Sequence, residues 1–183
     1  MRRRSRFSVV PIAVAFIVLM FGSAQVGAAN VHLKSKPPLT FTDQGLFLSA
    51  SGVLTGLGNG DIVVELSAQG QPVATCTNPA GKTQPPGQNP AVVTLTGAQE
   101  IPAGAIKNGN VGFDVDTAAP VTPIPGAPGC PNSQWTEDIN DVIFSGFPAT
   151  ITVFQGQGCA VDPNTGEPNA NCVQVFQTTR TVP

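Results

Sequence analysis

The chain has 183 residues, a formal charge of −2, one His, no Tyr, one Trp and four Cys. That inventory excludes a metal centre made of several His ligands, and so few cations give no basic stripe for nucleic acid. Gly at 20 and Pro at 18 leave little room for long helices.

The first residues, Met1-Arg2-Arg3-Arg4-Ser5-Arg6, are basic; Phe7 to Phe21 is apolar; Gly22, Ser23, Ala24, Gly27, Ala28 and Ala29 are small. These are the parts of a secretory signal peptide. Residues 1–29 are therefore expected to be removed, after Ala28 or Ala29, leaving one secreted domain over 30–183. The apolar run falls short of the roughly 20 residues that span a bilayer as a helix, so no membrane span is expected after cleavage. Ser5 and Arg6 behind the Arg pair favour the general secretory route over the twin-arginine one. The first Cys is Cys76, which rules out lipid attachment at the cleavage site. Cleavage leaves five cations (Lys34, Lys36, Lys82, Lys107 and Arg180) against eleven carboxylates, a formal charge of −6. Such a surface repels nucleic acid and anionic membranes alike. The expected location is extracytoplasmic, either secreted or periplasmic, with an extracellular or envelope partner.

In chain order, short runs rich in Val, Ile, Leu, Thr and Phe predict strands near Val31–Lys34, Leu39–Thr42, Leu46–Leu57, Ile62–Gln69, Pro72–Thr77, Ala91–Gly97, Val111–Asp116, Asp141–Phe147, Thr150–Gln155 and Val173–Thr179. Asn59-Gly60 predicts a tight hairpin between Val53–Leu57 and Ile62–Leu66. Further turns are expected at Gln69-Gly70-Gln71 and Lys107-Asn108-Gly109-Asn110. One short helix is expected around Ser133–Asn140, capped by Ser133 with Glu137 and Asp138 near its first turn. Two long Pro-rich loops, Asn78–Pro90 and Thr117–Pro131, separate these runs. The pattern predicts an all-β, disulfide-stapled antiparallel β-sandwich, Greek-key or immunoglobulin-like, with long Pro/Gly-rich loops.

Four Cys allow three pairings. Cys76 precedes the first loop and Cys130 ends the second, while Cys159 and Cys172 bracket a third, so Cys76–Cys130 and Cys159–Cys172 are the preferred pairs. Disulfides suit an exported chain and leave no thiol for nucleophilic chemistry.

Candidate chemistry is sparse. His32 is the one histidine available to a Ser-His-Asp or Cys-His arrangement, and there is no G-x-S-x-G elbow; a polar position on a first strand is the expected role. Asp114 and Asp116 lie two apart on a predicted strand and so share a face, the arrangement a carboxylate-dependent hydrolase would need. Asp162, Asn164 and Glu167 sit in a loop that superficially resembles a calcium loop but lacks its acidic density and terminal Glu. No cofactor motif is present. Trp135 follows Cys130-Pro131-Asn132, and two roles stay open for it: packing over a disulfide, or anchoring a binding face.

The leading expectation is an exported, non-catalytic binding or structural module that recognises its partner with the Pro-rich loops. Asn78, Lys82, Asn89, Asn132 and Trp135 are the candidate surface. A hydrolase using Asp114 and Asp116, and a calcium-stabilised surface module, are the alternatives.

Overall fold

A computed structural model describes residues 30–85, 91–124 and 130–183; the expected signal peptide lies outside these residues. Ten strands run in chain order: β1 (His32–Leu33), β2 (Thr40–Asp43), β3 (Leu48–Thr55), β4 (Asp61–Thr77), β5 (Thr83–Gln84), β6 (Val93–Ile101), β7 (Val111–Asp116), β8 (Thr136–Ile143), β9 (Pro148–Gly156) and β10 (Val173–Thr181). A 3-10 turn, Ala103–Ala105, follows β6.

These strands form two antiparallel sheets in a sandwich-like arrangement. In the smaller sheet β3 is central, pairing with β7 and with both β1 and β2. The larger sheet is organised by β4. Its first part pairs with β6 and β9, its last part with β5 and β8, and β10 extends the sheet beyond β9.

The alternation of β4 explains this role. Ile62, Val64, Leu66, Ala68, Gly70, Pro72, Ala74 and Cys76 are all buried, so one face of a 17-residue strand points inward from end to end. Ile62, Val64 and Leu66 join Leu48 and Leu54 of β3, Phe113 and Val115 of β7, and Ile151 and Val153 of β9 in one buried cluster. Fully burying a Leu or Ile side chain contributes about 1.5–3 kcal/mol, so this shared face holds the sheets together.

Three local expectations fail. The first is the turn at Gln69-Gly70-Gln71. Gly70 is instead inside β4, because a Cβ there would sit 2.5 Å from Val142 Cγ1 and 3.1 Å from Phe144 Cδ1. Glycine marks a close approach of the core, and two predicted strands are one.

The second is the hairpin at Asn59-Gly60. β3 and β4 belong to different sheets and share no ladder, so the segment between them is a crossover. It is held from afar: Gln155 Oε1 accepts from Gly58 N at 3.0 Å, and its Nε2 donates to Gly58 O and Gly60 O at 3.0 and 3.2 Å. Leu57 N also donates to Gly109 O at 3.1 Å. A long-range clamp thus displaces the local turn preference.

The third is the helix near Ser133–Asn140, where β8 begins at Thr136. Glu137, Ile139 and Asp141 are half-buried while Thr136, Asp138 and Asn140 are exposed, a period of two. The turn at Lys107–Asn110 forms as expected, with Asn108 at φ 50°, Gly109 at φ 72° and reciprocal backbone bonds of 2.9 Å.

Disulfides join Cys76 to Cys130 (Cα–Cα 5.5 Å) and Cys159 to Cys172 (Cα–Cα 4.7 Å), and no described cysteine is free. Two intramolecular disulfides are consistent with an oxidising, extracytoplasmic environment.

Candidate functional site

The Cys76–Cys130 bond ties the end of β4 to the segment leading into β8. Register carries the arrangement further: Cys76 lies opposite Glu137, and Thr77 opposite Thr136. Beyond this ladder β4 turns into β5, and on the facing strand the chain arrives from Cys130. Both cysteine-flanking segments therefore meet at one end of the larger sheet.

The approach to β8 is shaped residue by residue. Asn132 Oδ1 accepts from Gln134 N at 3.0 Å, and Asn132 O accepts from Trp135 N at 3.1 Å. This side-chain-capped turn fixes the Trp135 backbone immediately before the strand. Trp135 and Glu137, the second residue of β8, are both half-buried.

Between them lies a cleft of about 520 Å³ lined by Thr122, Pro123, Cys130, Asn132, Trp135 and Glu137, among others. This is within the size range of sites that take small molecules or a single side chain. Glu137 Oε1 is enclosed and has no hydrogen-bond partner among the described residues.

Of the five sequence-predicted surface residues, the structure brings Asn132 and Trp135 into this cleft. Asn78 and Lys82 sit on the neighbouring β4–β5 turn and do not line it. Asn78 Oδ1 accepts from Ala80 N and Lys82 N at 3.0 and 2.8 Å, so its side chain shapes that turn. Lys82 is exposed. Asn89 lies outside the described residues. Glu137 is the residue the sequence reading missed as a site member. Its position two residues after Trp135 was the available signal, hidden by the expectation of a helix there.

The other candidates are placed elsewhere. Asp114 and Asp116 share the exposed face of β7, and Asp116 Oδ1 accepts from Ser49 Oγ at 2.5 Å. His32 is exposed on β1 with Nδ1 2.8 Å from Asn30 O. In the Cys159–Cys172 loop, Asp162 Oδ1 accepts from Asn164 N at 2.8 Å, and Asp162 O accepts from Gly166 N at 2.8 Å. These contacts fold the loop on itself. Among the described residues no group of three or more His, Cys, Asp or Glu side chains is placed to hold a metal ion.

Two further clefts contain none of the candidates named from sequence for partner recognition. One of about 680 Å³ is lined by Leu33, Lys34, Leu39, Phe41 and Arg180 with their neighbours. The other, about 280 Å³, is lined by Glu65, Thr152 and Glu167 among others. Burial, and secondarily the charge of Glu167, push the Glu65 carboxyl above its ordinary range.

Comparison with known proteins finds no matching family model, no matching curated protein and no matching solved structure.

Proposed function

We propose that the protein is an exported, non-catalytic binding module, acting outside the cytoplasm as a secreted or periplasmic domain, whose recognition surface is the Trp135 cleft beside the Cys76–Cys130 disulfide. One observation supports this reading above the others. The only tryptophan of the chain is half-buried on the wall of an open cleft, on a segment held by a disulfide and a capped turn. Aromatic anchors on a rigid frame are the usual centre of binding energy, because little entropy remains to be lost on contact. The exposed Lys82 turn next to it extends the same end of the sheet as a rim.

A thermal-shift screen of residues 30–183 against glycans, peptidoglycan fragments, peptides and amines tests the proposal. A ligand at 100 times its Kd should stabilise the domain by about 2.7 kcal/mol. That shift is expected to disappear in Trp135→Ala. Ligands whose shifts survive the substitution undiminished would place recognition elsewhere.

A further inference from the structure

Glu137 is the unusual member of the cleft wall. A carboxylate oxygen enclosed without a donor is unfavourable, because the hydration it gave up has not been replaced. The neutral polar residues of the wall, Asn132, Ser133, Thr122 and Thr136, leave it unanswered. Asn132 directs its side-chain oxygen at Gln134 N instead. Among the described residues, Glu137 is also the one acidic side chain lining the cleft, and no basic side chain lines it.

Trp135 supplies a second preference of the same sign. An indole face attracts a cation electrostatically, and Trp does so best among the aromatics. Trp135 and Glu137, two positions apart in the chain, line the same cleft. An aromatic wall with a single carboxylate does not make a metal site, which needs more oxygen ligands. It does fit a cation carried on an apolar stem.

We propose that this cleft binds an organic cation bearing N–H donors, a primary ammonium or a guanidinium such as ends a lysine or arginine side chain. Its alkyl stem lies along Pro123 and Trp135, and its charged head reaches the Glu137 carboxylate. The inference rests on the reading of the Trp135 cleft as the recognition surface and adds the chemical class of what enters it. The acidic character of residues 30–183 would draw cationic ligands toward the protein from a distance.

The chain itself provides the assay. With one Trp and no Tyr, intrinsic fluorescence reports the cleft directly. Residues 30–183 would be titrated with Nα-acetyl-lysine methylamide and Nα-acetyl-arginine methylamide. The control is Nα-acetyl-norleucine methylamide, which has a similar stem and no charge. Saturable changes in Trp135 emission are expected with the two cations and not with norleucine. Glu137→Gln should weaken cation binding by about tenfold or more, as loss of a charged hydrogen bond does. Its melting temperature should match or exceed that of the unaltered protein, which separates lost binding from lost folding. Equal response to norleucine, or cation affinity unchanged in Glu137→Gln, would overturn the cation assignment. Ligands from the wider screen would still lose binding in Trp135→Ala in that case, leaving the recognition surface standing. Should no ligand respond to Trp135→Ala, both conclusions fall together.

Discussion

The two disulfide-linked regions use their polar groups in opposite ways. Between Cys159 and Cys172 the chain answers itself. Asp162 folds back on Asn164 and Gly166, Asn169 Nδ2 donates to Gly158 O at 3.1 Å, and Asn171 N donates to Asn169 Oδ1 at 3.0 Å. The region also docks inward, through Gly158 N to Asp61 Oδ2 at 3.0 Å. Beside Cys130 the opposite holds: Trp135 and Glu137 line an open cleft, and Glu137 Oε1 is enclosed without a hydrogen-bond partner among the described residues. A loop whose hydrogen bonds close on themselves is architecture, whereas the start of β8 leaves a carboxyl oxygen without a donor.

The largest expected effect comes from removing each crosslink. Cys76 and Cys130 are 54 positions apart and Cys159 and Cys172 are 13 apart. Chain entropy gives losses of about 4 and about 3 kcal/mol for the respective Cys→Ser pairs. Melting temperatures would show both, but ligand binding should be abolished only by the first. If opening the Cys159–Cys172 loop harmed binding as much, the division between the regions would be wrong.

Next comes the carboxylate that receives the self-contained loop. Asp61 accepts from Ala103 N at 2.8 Å and from Gly158 N at 3.0 Å, and these bonds hold its carboxyl below the ordinary aspartate range. A lowered folded value means that the ionised form stabilises the fold. The benefit is complete above the ordinary aspartate range, about pH 4, and is lost as pH falls through the lower folded value. Asp61→Asn should therefore melt earlier than the unaltered protein at neutral pH, with the gap closing on acidification. A gap independent of pH would show that ionisation of Asp61 is immaterial.

Glu65 should give the smallest effect, with the reverse sign. Burial first and the Glu167 charge second raise its folded value, so its ionised form disfavours the fold. That cost is absent below the ordinary glutamate range and sets in as pH rises toward the raised folded value. Glu65→Gln should melt slightly higher at neutral pH and lose the advantage in acid. Reduced stability at neutral pH would mean that the carboxylate has a favourable partner.

Strand positions were legible wherever a side chain's burial depended on its own strand alone. Val111–Asp116 was read with its observed bounds, and the apolar alternation of β4 and β9 located both. Misreadings fall where a distant residue decides. Nothing near Asn59-Gly60 reveals Gln155, nor does anything near Gly70 reveal Val142 and Phe144. At β8 the exposed Asp138 and Asn140 alternate with half-buried Glu137 and Asp141, so polar residues on both faces concealed the period. For the site, the Cys-Pro-Asn-x-x-Trp segment was visible as loop chemistry. That Glu137 lines the same cleft was not, because its placement depends on how β8 pairs with β4.

The length of β4 makes it the ruler from which β5, β6, β8 and β9 all take their positions. A slip of one residue along it would turn eight inward-facing positions outward and misalign four partners together. Small errors of alignment therefore have no cheap local form, and the crevice at its far end inherits that fixity from a strand that begins fifteen residues before Cys76.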